Sequence, residues 1–198
     1  MNPSGGFYRV CYCLARAVLS LFYWFEVIGK ENIPKGAAVI CANHSALLDP
    51  FLLAFVLGIN HQVHFVGKVE LFRIPIVSWI LKKLGMISVN RGMLDVQTVR
   101  KTLGYLSDGE IVSIFPEGTR SKEDSVVPPR YGAVKIADRA EAPIIPAYIP
   151  RKKKVFRKFR VIIGEPYYIE KQETKRTLED YSKLAEDLMM RINKLKET

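Results

Sequence analysis

Cysteine is scarce in this chain: Cys11, Cys13 and Cys41 are the only three in 198 residues, and none forms a C-x-x-C pair. An odd, scattered set excludes a disulfide framework and a cysteine-built zinc site, and it fits a reducing compartment. Acid is in short supply too, with 20 Asp and Glu against 30 Lys and Arg, a formal charge of +10. That excess points to anionic partners (phospholipid headgroups, nucleic acid, or acidic carriers and substrates) without choosing among them. No G-x-S-x-G elbow exists, which removes the usual serine hydrolase. Gly104 to Gly109 superficially suggests a phosphate loop, but Glu110 stands where its lysine would be. His61 and His64 lack nearby cysteine and a second pair of ligands, so no metal is expected.

Long apolar runs are also missing. The nearest approach is Val10 to Phe25, interrupted by Arg16 and ending in aromatics. As a helix it measures about 24 Å, short of the roughly 20 apolar residues a bilayer crossing needs. Such a helix either lies in one leaflet or packs on the protein's own core, and the basic total favours the leaflet. No small-residue cleavage site followed by a polar sequence is evident, so the N-terminus is expected to stay on.

What is present is the composition of a folded protein: 48% hydrophobic and 25% charged residues, with no repeat or low-complexity segment. The length suits one domain. Residues 1–25 are expected to form a membrane-surface helix and 26–198 the catalytic domain. Short apolar runs alternate with helical spacing, which predicts an α/β fold with a mostly parallel or mixed central sheet flanked by helices. Strands are expected at Ala37–Cys41, Gln62–Val66, Met86–Val89, Ile111–Phe115, Ile144–Ile149 and Val155–Ile163. Helices are expected at Pro75–Leu84, around Val96, Val99, Leu103 and Leu106, from near Gly132, and from about Thr177. The last carries an apolar stripe from Leu178 to Leu195 that is expected to dock on the domain.

Chemistry gathers at strand ends. Asn43-His44-Ser45-Ala46-Leu47-Leu48-Asp49 follows the first of these strands and sets a histidine five residues before a carboxylate. On a continuous helix the two would lie about 140° apart, so they meet only if the chain between them turns. Pro50 suits a first helical position, which makes Asp49 the expected N-cap, with its second oxygen free for the imidazole N–H. A histidine so held is oriented, kept in one tautomer and able to deprotonate an alcohol. Taken alone, the spacing equally describes a helix cap beside a satisfied loop histidine.

Phe115-Pro116-Glu117-Gly118-Thr119-Arg120-Ser121 ends another apolar run. It offers a permissive glycine, hydroxyls, an arginine fork that matches phosphate, and a carboxylate to orient that arginine or bind a hydroxyl. Lys68 with Glu70, and Gly85 to Arg91, end two more runs with cations. Ligands in open α/β sheets gather at carboxyl ends of strands, so phosphate-binding charge and a base would converge there. Arg151 to Arg160 holds seven cations and no acid. It is read as a grip on anionic lipid or as a solvated basic edge strand. No nucleic-acid motif accompanies it.

These blocks, in this order, resemble the glycerolipid acyltransferase family that includes lysophosphatidic acid acyltransferases. Asn43 to Asp49 resembles its H-x-x-x-x-D motif, Gly85 to Arg91 its second motif, Phe115 to Arg120 its F-P-E-G-T-R motif, and Ala142 to Tyr148 its proline-containing fourth motif. The resemblance covers about half the chain. The second motif departs from the family pattern in carrying Asn90, where an acid is frequent, before its arginine.

The resemblance implies transfer of a fatty acyl group from acyl-CoA or acyl-carrier protein to a lysophospholipid hydroxyl. The acceptor would be the sn-2 hydroxyl of lysophosphatidic acid, or else another lysolipid or glycerol phosphate. It further implies no covalent acyl-enzyme and no cofactor beyond the donor substrate. His44 and Asp49 would be catalytic. Lys68, Arg91 and Arg120 would hold phosphate, Glu117 and Gly118 with Thr119 would position the acceptor, and Pro146 would shape the acyl or thioester site. The implied setting is the cytoplasmic face of the cell membrane. A catalytically silent membrane-binding protein of the same fold is the competing expectation.

Overall fold

A computed structural model describes residues 5–90, 95–121 and 128–197. In chain order the elements are α1 (Gly5–Ser20), β1 (Trp24–Ile28), β2 (Ala38–Ala42), α2 (Asp49–Leu57), β3 (Val63–Lys68), α3 (Pro75–Lys83), β4 (Ile87–Val89), α4 (Val96–Ser107), β5 (Ile111–Ile114), α5 (Gly132–Ala140), β6 (Ile144–Tyr148), β7 (Lys158–Ile163) and α6 (Leu178–Lys194). The described strands form one mixed sheet in the order β1-β7-β6-β2-β5-β3-β4. Five neighbours from β6 to β4 run parallel, β7 meets β6 antiparallel, and β1 pairs in parallel with β7.

Strand β2 is buried along its whole length, as an uninterrupted apolar run in a sheet covered on both faces must be. Ala38, Ile40 and Ala42 face α2, where they meet Leu52, Leu53, Val56 and Leu57. Val39 and Cys41 face the other layer, formed with Leu106 of α4, Val134 and Ala137 of α5, and Leu188 and Ile192 of α6. Helix α6 docks as its stripe predicts. Thr177 and Asp180 form a capping box at its start, and the Tyr181 hydroxyl donates to Asp138 of α5 at 2.7 Å.

The N-terminal segment differs from expectation. The apolar run to Phe25 predicts one helix, but α1 stops at Ser20, and Trp24 and Phe25 belong to the edge strand β1, in register with Lys158 and Phe159. A continuous apolar run does not distinguish a helix from a buried strand, and the four aromatics at its end favour the strand. Helix α1 packs through one face: Phe7 lies edge-on to Trp79, Tyr12 lies edge-on to Phe55, and the Tyr8 hydroxyl donates to the His61 carbonyl. Val10, Leu14 and Val18 on its other face, and Leu21 just past its end, are exposed. Among the described residues no helix is long and apolar enough to cross a membrane.

Strand β7 is interior, between β1 and β6, and is not the edge strand its lysines suggest. Parallel pairing from β6 to β4 brings five carboxyl ends to one rim of the sheet. The reversed pair β7 and β1 presents its amino ends there, with Trp24 and Lys158.

Candidate active site

His44 lies two residues past the end of β2. The loop holding it is clamped by Asn43, whose side chain is fully buried and bonds reciprocally with the backbone of Ile149 just past β6, at 2.8 Å in each direction. His44 Nδ1 is 2.9 Å from Asp49 Oδ2. The same oxygen accepts the backbone N–H of Ser45 at 2.6 Å and of Ala46 at 2.8 Å. Asp49 is therefore not the helix cap. Leu48 already has helical backbone angles and its carbonyl accepts from Leu52, so Asp49 is the first helical residue and its carboxylate folds back over the preceding turn. That turn closes the five-residue gap between histidine and acid.

Asp49 is fully buried, and its Oδ1 meets the ammonium of Lys153 at 2.7 Å. Burial pushes the carboxyl pKa up, but hydrogen bonds from His44, Lys153 and Ala46 outweigh it and hold the group below the usual aspartate range. An ionised acceptor at Nδ1 favours the tautomer with its proton there and turns Nε2 away from the carboxylate. Among the described residues Nε2 has no hydrogen-bond partner, and the ring, 17% exposed, stacks on Phe115 at 4.2 Å. An imidazole oriented in this way, with one nitrogen open, has the geometry that general-base chemistry requires.

The second motif-bearing turn follows β5. Gly118 takes φ +63° at its crest, and a Cβ there would come within 3.2 Å of the Arg130 stem, so glycine suits both the angle and the space. Glu117, only 3% exposed, points inward. Its Oε1 meets Arg151 Nη2 at 2.8 Å and accepts the His44 N–H at 3.2 Å, while Oε2 meets Arg151 Nη1 at 3.4 Å. Arg151 also donates to the Ser121 carbonyl at 2.7 Å, and Ser121 N–H donates to the His44 carbonyl at 2.8 Å. Both carboxylate oxygens are thus committed. Glu117 ties the β5 turn to the His44 loop instead of reaching outward, because a buried arginine supplies its counter-charge.

Of the other predicted residues, Gly118 and Arg120 are exposed and Thr119 is half-buried on the same turn. Lys68 ends β3 and pairs with Glu70 at 3.2 Å. Arg91 lies outside the described residues. Pro146 does not line the site. It is buried inside β6, beside Gly164, whose N–H donates to the Pro146 carbonyl at 2.8 Å. Its missing N–H faces that side, where β7 has ended, so the strand tolerates proline. His64 is a core residue at the amino end of β3, stacked on Tyr105, with Nδ1 donating to the Gly85 carbonyl and Nε2 against Glu110. No cluster of three or more His, Cys, Asp or Glu placed to hold a metal occurs among the described residues.

Sequence pattern misses Arg151 and Lys153, which sit in a run of cations that reads as solvated. The usable signal was alternation: just past a strand, residues 151 and 153 share one side and 152 and 154 the other. Lys152 and Lys154 are indeed exposed, while the Lys153 side chain is 4% exposed and its ammonium also donates to Ser45 Oγ at 2.9 Å.

An α/β sheet that presents a buried-carboxylate histidine base at the carboxyl ends of its parallel strands, flanked by a glycine-arginine turn, defines a class. The chain belongs to the acyltransferase family, whose model, described as Acyltransferase, matches residues 25–150. It is 35% identical over 167 residues to the 1-acyl-sn-glycerol-3-phosphate acyltransferase of Bacillus subtilis, covering 81% of this chain and 82% of that protein. The enzyme of the same name from Borreliella burgdorferi is 28% identical over 156 residues, 75% of this chain and 62% of that protein. Among solved structures, the 1-acyl-sn-glycerophosphate acyltransferase PlsC of Thermotoga maritima superposes with a TM-score of 0.67 at 27% identity, covering 96% of this chain and 80% of that one.

Proposed function

We propose that this enzyme transfers a fatty acyl group from acyl-CoA or acyl-carrier protein to the sn-2 hydroxyl of lysophosphatidic acid, giving phosphatidic acid. The observation that carries the proposal is the His44–Asp49 pair, 2.9 Å apart on a buried carboxylate with Nε2 open. The relatives' names, 1-acyl-sn-glycerol-3-phosphate acyltransferases, support lysophosphatidic acid as the acceptor. His44 Nε2 takes the proton of the acceptor hydroxyl as its oxygen bonds to the thioester carbonyl carbon. The tetrahedral adduct then collapses, the C–S bond breaks, and the imidazolium returns the proton to the departing thiolate. Asp49 holds the ring and stabilises the transient imidazolium. The Ser45 hydroxyl accepts from Lys153 at 2.9 Å and points toward the Arg151 carbonyl and not toward His44, which supports direct transfer without an acyl-enzyme.

Arg120 and Arg91 bind the acceptor phosphate, with Lys68 adding charge at the neighbouring strand end. Gly118 lets that phosphate or its glycerol approach the backbone, and the Thr119 hydroxyl bonds to it. The thioester is a substrate, so the reaction needs no resident cofactor. The exposed face of α1 (Val10, Leu14 and Val18), continued by Leu21, Phe22, Trp24 and Phe156, rests in the outer part of a leaflet. The outward Lys152 and Lys154 meet anionic headgroups at the cytoplasmic face.

The test offers purified protein lysophosphatidic acid with long-chain acyl-CoA and, separately, acyl-carrier protein, beside glycerol 3-phosphate and neutral lysolipids. Phosphatidic acid from the wild type and none from His44→Ala supports the assignment. Turnover that persists in His44→Ala removes the proposed base. A protein that binds vesicles but turns over no pair is the silent scaffold.

A further inference from the structure

The two oxygens of Asp49 are divided between different tasks. Oδ2 collects the imidazole N–H and two backbone N–H groups, while among the described residues Oδ1 faces only the Lys153 ammonium, at 2.7 Å. That ammonium is almost wholly withdrawn from water, which costs several kcal/mol unless a carboxylate answers it. It is brought there from the β6–β7 connection, immediately after residue 150, where the family match ends. Its remaining contact, the Ser45 hydroxyl at 2.9 Å, belongs to the residue following the base. A lysine that served only solubility or lipid attraction would stand outward, as Lys152 and Lys154 do.

Resting on the acyl-transfer reading of this same site, we infer that Lys153 is a positioning residue that tunes the His44 base through Asp49. An unpaired buried carboxylate 2.9 Å from the imidazole would hold a proton on the ring to higher pH and take the base away. Paired with Lys153, the carboxylate still accepts the Nδ1 proton and orients the ring, but its net field at the ring is reduced. Lys153 also fixes Asp49 from the side opposite His44, so the acid cannot rotate away. Among the described residues, the charged groups bearing on His44 are Asp49 from α2, Glu117 from the turn after β5, and Arg151 and Lys153 from the β6–β7 connection. Glu117 and Arg151 neutralise each other at 2.8 Å, so Lys153 and Asp49 are the pair whose balance the ring feels.

The experiment compares wild type, Lys153→Met and Lys153→Arg in two measurements. One is the pH profile of kcat/KM for acyl transfer; the other is the titration of the His44 ring followed by NMR without substrate. In Lys153→Met the acid limb and the ring titration both move to higher pH by about one unit, the scale expected when a neighbouring charge is uncovered. On the acid side of both midpoints activity then falls about tenfold, and the loss disappears at pH values above them. Lys153→Arg restores the wild-type profile because the charge is kept. A Lys153→Met profile that keeps the wild-type shape at a lower kcat, or a ring titration that does not move, overturns the inference and leaves Lys153 a structural residue. Should Lys153→Met not fold, Lys153→Gln carries the same test, since its amide can donate to Asp49 without the charge. If the wild type turns over no acceptor, the acyl-transfer reading fails, and the NMR titration still decides the role of Lys153.

Discussion

Replacing Glu117 with alanine removes one partner of an ion pair whose side chains are 3% and 7% exposed. The loss comprises a 2.8 Å charge-assisted bond, a longer one at 3.4 Å, and the acceptor for the His44 N–H. Stranding a buried charge in this way costs about 3–5 kcal/mol. Arg151 retains the Ser121 carbonyl at 2.7 Å, so the lower end, about 3 kcal/mol, is expected. With a urea m-value of about 2.5 kcal/mol/M, the unfolding midpoint drops by about 1.2 M. Removing both charges in Glu117→Ala/Arg151→Met recovers more than about 1 kcal/mol of the summed single losses, because neither partner is then left unpaired. High salt leaves the difference nearly unchanged, since screening acts mainly on exposed pairs. A Glu117→Ala protein within 1 kcal/mol of wild type but with a raised KM for the acceptor would refute this reasoning and return Glu117 to the substrate.

Asp49, held below the usual aspartate range, contributes stability that is present in full above its unfolded value, about 3.9. That contribution is lost as pH falls through the lower folded value. The stability gap between wild type and Asp49→Asn in urea melts is therefore level above about pH 5 and narrows toward pH 3. Leu14→Glu, on the exposed face of α1, lowers co-sedimentation with anionic vesicles severalfold while the melting temperature stays put. Leu188→Ala, in the fully buried stripe of α6, destabilises by about 2–5 kcal/mol in the same urea assay. Arg120→Ala raises the KM for lysophosphatidic acid more than it lowers kcat, as loss of a phosphate contact should.

Sequence pattern conveys most where one physical demand dominates. Ala38–Ala42 and Ile111–Ile114 are legible because a strand covered on both sides is dominated by apolar residues, Ser113 being the one polar side chain in the two, and each delivers a motif to its exit. His44 and Asp49 are legible as a pair, but the fold-back is not. Whether a carboxylate caps its own helix or reaches to the turn before it depends on one residue, Leu48, entering helical angles early. Trp24 and Phe25 are lost inside an apolar run that suits either kind of element. Arg151 and Lys153 are hidden by composition, since a run of like charges says nothing about which members find buried carboxylates far away in the chain. Pro146 shows the opposite error: a residue prominent in a motif can serve the sheet and not the site.

The antiparallel pairing of β7 with β6 governs how these cations arrive. A parallel return from β6 would need a crossover of a dozen or more residues over one face of the sheet. The reversal lets residues 149–157 turn back along the rim, so Arg151 and Lys153 reach their carboxylates within a few residues of β6. Length is therefore constrained unequally along this one connection. An added residue between 148 and 151 swings both counter-charges to the wrong side of the chain, whereas one between 151 and 153 displaces Lys153 alone.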